Sequence, residues 1–215
     1  MMSATPTHVY PAIEVYRGPD RVAPATLDGR RVRMEPLSLE RHWDGLLAIG
    51  LEPELWRWTL SRPTTPEALR DYLDTALREQ AEGRSLPFAT IDKVSGTVAG
   101  CTRYGNIELK NRKLEIGWTW VGKPFQRSHV NTEAKYLMLR HAFESLGCIR
   151  VELKTNALNS KSRNAMLRIG CIEEGTMRKH STSDWGVPRD TTYFSIVDDE
   201  WPGVKARLEE MMARE

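Results

Sequence analysis

Hydrophobic and polar positions change period along this chain, and the changes divide it into elements. Arg31 to Leu37 alternates as a strand does, after a turn at Asp28-Gly29. Ser38 then offers an N-cap, and Trp43, Leu46, Leu47 and Ile49 continue a helix. Glu52 to Trp58 reads as a short helical turn. Thr64-Thr65-Pro66-Glu67 starts a second helix, with proline at its first position and an acid beside it, and Gly83 ends it. Leu86 to Ile91 and Gly96 to Ile107 are predicted strands around a turn at Asp92 to Ser95. Lys113 to Val121 is a third strand, ended by Lys123-Pro124. The next helix puts Ala134, Leu137, Met138, His141, Ala142 and Leu146 on one face and stops at Gly147. Arg150 to Thr155 is a short β-rich run, and Ser160 to Ile169 is a helix closed by Gly170. Cys171 to Lys179 and Thr191 to Val197 form a hairpin about Ser183 to Gly186, and a last helix runs from about Glu200 to Arg214.

This order predicts the α/β class, a mixed sheet with helices on its faces. Residues 1–25 carry Pro6, Pro11, Pro19 and Pro24 and few apolar clusters, which predicts a tail or arm. Residues 26–215 are expected to form one domain.

Composition changes little in this picture. The net charge of +2 over 215 residues gives no general pull toward nucleic acid or membrane. No apolar run approaches the ~20 residues of a membrane span, and residues 1–11 lack the basic and apolar regions of a secretory signal. Cys101, Cys148 and Cys171 are scattered and show no Cys-x-x-Cys spacing, so free thiols in a cytoplasmic protein are expected, with no metal site.

The chemistry points to one segment: the strand Leu114 to Trp120, the polar turn Phe125 to Asn131, and the helix start Thr132-Glu133-Ala134. A turn feeding a helix N-terminus presents unpaired amides and the positive end of the helix dipole, which suits a pyrophosphate. Arg127 adds a forked cationic donor. By physics alone the signal is weak, because most helix starts with a nearby arginine bind nothing.

The segments that surround it carry a resemblance. Leu114-Glu115-Ile116-Gly117, Asn131-Thr132-Glu133-Ala134-Lys135, Asn159-x-x-Ser162, Ile169-Gly170-Cys171, Glu174-Gly175-Thr176-Met177-Arg178 and Arg189-Asp190 follow one another in a recognisable order. The chain resembles the RimJ/RimL-like branch of the GNAT N-acetyltransferases from about Leu27 to Gly203. The resemblance implies a mostly antiparallel twisted sheet, helices on both faces, and a splayed parallel strand pair that forms a CoA cleft. It implies acetyl-CoA as co-substrate and an amine as acceptor. Trp120 and Val121 would line the pantetheine arm with their backbone. Gln126, Arg127, Ser128, His129, Val130, Asn131 and Thr132 would wrap the pyrophosphate, and Asn159 would bond the pantetheine. The family loop reads Gln/Arg-x-x-Gly-x-Gly/Ala, and here His129 and Asn131 stand where small residues are usual. The loop is then expected to bind CoA more weakly, with His129 touching a phosphate or facing solvent and Asn131 able to cap the helix.

Acyl transfer to an amine needs the amine neutral and a proton for the departing thiolate. Glu115, flanked by Leu114 and Ile116 on the cleft strand, is the candidate base, with burial raising its pKa. The other reading is a strand-surface glutamate paired with Lys113 or Arg112. The place where many family members carry a tyrosine acid holds Met166. Ser162, one turn earlier, either serves the CoA sulfur or caps the helix. Trp56 and Trp58 are expected in the acceptor wall. Trp118 shares a face with Trp120 and lines the cleft or packs in the core. His180 is a pocket or surface histidine, and Arg189-Asp190 would form an ion pair supporting the hairpin. A catalytically silent module that binds acyl-CoA or a partner is the alternative to an enzyme. A homodimer is left open.

Overall fold

In a computed structural model that describes residues 10–17 and 21–214, eight strands form one sheet in the order β1-β2-β3-β4-β5-β6-β8-β7. The strands are β1 (Leu27–Asp28), β2 (Val32–Pro36), β3 (Leu86–Asp92), β4 (Thr97–Glu108), β5 (Lys113–Val121), β6 (Arg150–Asn156), β7 (Ile172–Thr182) and β8 (Pro188–Val197). The helices are α1 (Leu39–Gly50), α2 (Pro66–Ala81), α3 (His129–Arg140), α4 (Ser160–Ile169) and α5 (Trp201–Arg214). All neighbouring strands are antiparallel except β5 and β6, the parallel pair. This is the GNAT architecture that the resemblance implies.

The helix starts follow from their caps. Ser38 accepts the amide of Arg41, Thr65 that of Ala68, Ser128 that of Val130 and Asn159 that of Ser162. Gly170 ends α4 in the left-handed region, at φ 102°, with Val204 of α5 packed against it. A π-helical turn, His141–Ser145, extends α3.

Helices on the two faces seal two cores. One joins α3, α4 and α5 to Met34, Phe88, Leu114, Ile116, Val151 and Phe194. The other joins α1 and α2 to Leu37, Ala89, Cys101 and Trp120, with Trp56 at its centre. Cys101, Cys148 and Cys171 are free and buried, and burial pushes their thiols up to about 12, 11 and 12. Among the described residues no helix is long and apolar enough to cross a membrane.

The predicted tail needs one revision. Much of residues 1–25 lies outside the described residues, and 10–17 form no helix or strand. Residues 21–25 belong to the domain, because Arg21 Nη1 donates to Ala81 O and Val22 and Ala25 pack against the first core.

Candidate functional site

The parallel pairing of β5 and β6 stops early. Lys113, Leu114 and Glu115 pair with Arg150, Val151 and Glu152, and from Ile116 onward β5 pairs with no strand on that side among the described residues. An open strand edge with free backbone donors and acceptors results, able to bond an extended amide-bearing chain. α3 and α4 pack on the face of Leu114 and Ile116. Glu115 points the other way, as alternation requires.

β5 carries a bulge at this point. Cys101 pairs with Trp120 but Arg103 pairs with Gly117, so β5 holds one residue more than β4. Trp118 takes up the extra length at φ 51°. Its ring lies against Gly105, where a Cβ would come within 2.3 Å of it, and under Arg103 at 4.3 Å. The bulge puts Trp118 on the face of Glu115, away from Ile116. Trp118 is 38% exposed beside the cleft, while Trp120 is in the second core, 5.4 Å from Trp56.

Glu115 is 2% exposed. Its Oε2 accepts from Asn106 Nδ2 at 2.6 Å and from Lys154 Nζ at 2.8 Å. Its Oε1 has no hydrogen-bond partner among the described residues. Gly117 leaves room beside it: a Cβ there would stand 2.7 Å from Oε1. The alternative reading, a surface pairing with Lys113 or Arg112, is not what forms; Lys113 pairs with Glu108 and Arg112 bonds Gly147 O. Lys154 and Asn106 escaped the sequence reading, because neither lies near Glu115 in the chain.

The loop before α3 also differs from expectation. α3 begins at His129, and the left-handed residue is Arg127 at φ 60°. His129 and Asn131 are helical, so neither needs the freedom of glycine, and Ser128 rather than Asn131 caps the helix. His129 does not face solvent: its Nε2 meets the buried Asp92 Oδ1 at 2.8 Å. Asp92 also accepts from Ser95 and from the amide of Val94, and these bonds hold its carboxyl below the usual range despite burial. Val130 and Thr132 are buried, and Thr132 Oγ1 accepts from Arg168 Nη2 at 3.1 Å. Arg168 therefore reaches the first turn of α3, which Arg127 precedes in the chain and whose amides have no acceptors within the helix.

Gln126 ties the loop to both neighbours. Its Nε2 donates to Val121 O at 2.9 Å, and its Oε1 accepts from Lys161 Nζ of α4 at 2.5 Å. Asn159 is the cap of α4, so Ser162 is not. Ser162 Oγ has no hydrogen-bond partner among the described residues. Met166 is buried in the first core and cannot serve the cleft.

On the Glu115 face, the loop after Trp56 and the β7–β8 hairpin clasp each other. The Asp184 amide donates to Leu60 O at 2.9 Å, Arg189 Nη1 donates to Trp58 O at 3.0 Å, and Arg62 stacks on Trp185 at 3.7 Å. Trp58 thus contributes its carbonyl to this wall. Trp56 does not line the cleft: it is 1% exposed, and its Nε1 donates to Gly50 O. Arg189 and Asp190 form no ion pair; Asp190 accepts the amide of Lys179 instead. His180 is exposed and meets the hydroxyl of Tyr193, which stands opposite Lys154.

One further group was not foreseen. Lys135 of α3 is buried, its Nζ bonds Thr119 Oγ1 at 2.8 Å, and burial lowers its ammonium to about 8.

The fold and this cleft define an acyltransferase, and residues 31–172 match the acetyltransferase (GNAT) domain family. YdaF of Bacillus subtilis (strain 168), a proposed ribosomal N-acetyltransferase, is 28% identical over 173 residues, 80% of this chain and 92% of its own. A GCN5-related N-acetyltransferase from Brucella melitensis is similar at 33% identity and TM-score 0.83, over 89% of this chain and 87% of that one. Mycobacterium smegmatis RimJ, solved in complex with CoA-disulfide, shares the fold at 22% identity and TM-score 0.74, over 87% and 95%. The chain belongs to the acetyltransferase (GNAT) family.

Proposed function

We propose that the protein transfers an acetyl group from acetyl-CoA to a primary amine, a peptide N-terminus or a small molecule, by direct attack in a ternary complex in the cytoplasm. The observation that carries this is the free Oε1 of buried Glu115, on the face of the splay opposite α3 and α4. It is an acceptor aimed at an incoming ammonium.

The residues present suit acetyl-CoA. The first-turn amides of α3, with Arg127 and Arg168, provide for a pyrophosphate, and the edge of β5 from Trp118 to Val121, where only Val121 O is taken, by Gln126, among the described residues, provides for the amides of pantetheine. Asn159 keeps its Nδ2 for the same arm, since its Oδ1 caps α4.

Glu115 takes a proton from the ammonium before attack, directly or through one water, and the lone pair so freed forms the C–N bond; nitrogen's second proton leaves to solvent as the tetrahedral intermediate collapses. Ser162 donates a hydrogen bond, and then a proton, to the sulfur as the C–S bond breaks. The two groups work from opposite faces, which keeps base and acid apart. Ser162 recovers its proton from solvent. The silent-module reading keeps one support, the buried Met166 where a tyrosine acid is usual.

Release of CoA across a panel of amines, with acetyl-CoA affinity measured by calorimetry, tests the proposal. Acetyl-CoA binding with amine-dependent release is expected. Binding without release for any amine favours the silent module.

A further inference from the structure

The cations on the Glu115 face are not all held by acids. Lys154 is paired with Glu115, and Arg103 with Glu79 at 2.7 Å. Arg189 has no carboxylate within ion-pair distance among the described residues. It is half-buried, and burial disfavours its charge while Glu115 and Tyr193 favour it through space. Its position is fixed by β8: residues 189, 191 and 193 share a face, and Tyr193 stands opposite Lys154, which holds Glu115.

A guanidinium has five N–H donors in a rigid fork. Arg189 uses two, Nη1 to Trp58 O at 3.0 Å and Nε to Thr191 Oγ1 at 3.4 Å. Three donors remain, including both on Nη2. Clasping a carbonyl needs no charge, whereas half-burying an unneutralised guanidinium is unfavourable. A carboxylate on the acceptor would neutralise it and match the fork.

We propose that the acceptor carries a carboxylate as well as its amine, and that Arg189 binds the carboxylate while Glu115 Oε1 receives the ammonium. This rests on the acetyl-transfer reading and narrows its substrate class. The carboxylate belongs either to a free amino acid or to an acidic side chain near a peptide N-terminus.

The test uses matched acceptors: an α-amino acid and its amide, and a short peptide with Glu or Gln as second residue. CoA release is measured with wild type, Arg189→Gln, which keeps a donor for Trp58 O, and Arg189→Lys, which keeps the charge. Binding of each N-acetylated product to the CoA-loaded protein is measured by calorimetry. Wild type should favour the carboxylate member of at least one pair by about tenfold or more. The ratio should fall toward one in Arg189→Gln and recover in part in Arg189→Lys. The pair that shows the effect identifies the source of the carboxylate. No preference in wild type, or an equal loss on both members in Arg189→Gln, overturns the proposal and leaves Arg189 a clasp. If no acceptor releases CoA, the acetyl-transfer reading fails, and the same ratio read from product binding still decides the role of Arg189.

Discussion

Lys154 Nζ lies 2.8 Å from Glu115 Oε2, so an ion pair bridges β5 and β6 just past the last residues that the two strands pair. Both residues have little exposure, 22% and 3% for their side chains. The pair fixes which carboxylate oxygen is spoken for and leaves the other to the cleft. On the proposed role of Glu115, Lys154 is a positioning residue. Lys154→Met should lower stability by ~1–3 kcal/mol, because a buried carboxylate loses one of its two partners and keeps Asn106. It should also lower kcat/KM by about tenfold or more. Adding Glu115→Gln should restore much of the stability without restoring turnover. Denaturant melts and steady-state kinetics on the two single variants and the double variant check this.

Gly117 gives Glu115 Oε1 its access, since a Cβ at that position would stand 2.7 Å away. Gly117→Ala should raise KM for the amine or lower kcat by about tenfold, with acetyl-CoA affinity changed by less than about twofold. A large loss of acetyl-CoA affinity would place the obstruction on the cofactor side of the splay instead.

His129 looks in the sequence like a defect in a phosphate loop. In the structure it is a helical residue bonded to Asp92 at 2.8 Å. His129→Gly should therefore cost ~1–2 kcal/mol, from a lost hydrogen bond and glycine in the helix. That is about 2–8 °C in Tm for a chain of this size. It should not tighten acetyl-CoA. A tighter complex would restore the view that the histidine obstructs the loop.

The contrast between these residues shows what the sequence could carry. The order of strands and helices, the helix caps at Ser38, Thr65 and Gly170, and the strand that carries Glu115 follow from local pattern, while the cleft beside that strand follows only from the family resemblance. Partners across the sheet do not. Asn106, Lys154 and Arg189 reach the surroundings of Glu115 from β4, β6 and β8, and no spacing along the chain encodes that meeting. The bulge at Trp118 is likewise silent in a run of apparently alternating residues. Trp56 misleads for a different reason: a tryptophan near an expected wall reads the same whether it faces the cleft or the core.

Lys135 gives the stability a pH dependence. Burial lowers its ammonium from 10.5 to about 8, so between those values the unfolded chain binds a proton that the native chain lacks. Stability from this group therefore rises with pH across that window, and the burden of the buried charge is full below it. The three buried thiols act oppositely above pH 9, where only the unfolded chain loses their protons. Comparison with Lys135→Met isolates the lysine. The variant should be more stable than wild type by ~1–3 kcal/mol at pH 7, with the gap closing by about pH 10. Thermal melts of both proteins from pH 7 to 10 check this.

The central claim is that Glu115 handles the proton of an incoming amine while acetyl-CoA is held elsewhere. The most direct measurement is amine-dependent CoA release by Glu115→Gln at saturating acetyl-CoA, beside its calorimetric affinity for acetyl-CoA. Release should fall by about 10²–10⁴-fold, with affinity within about twofold of wild type. Undiminished release by a variant that binds acetyl-CoA normally would contradict the claim.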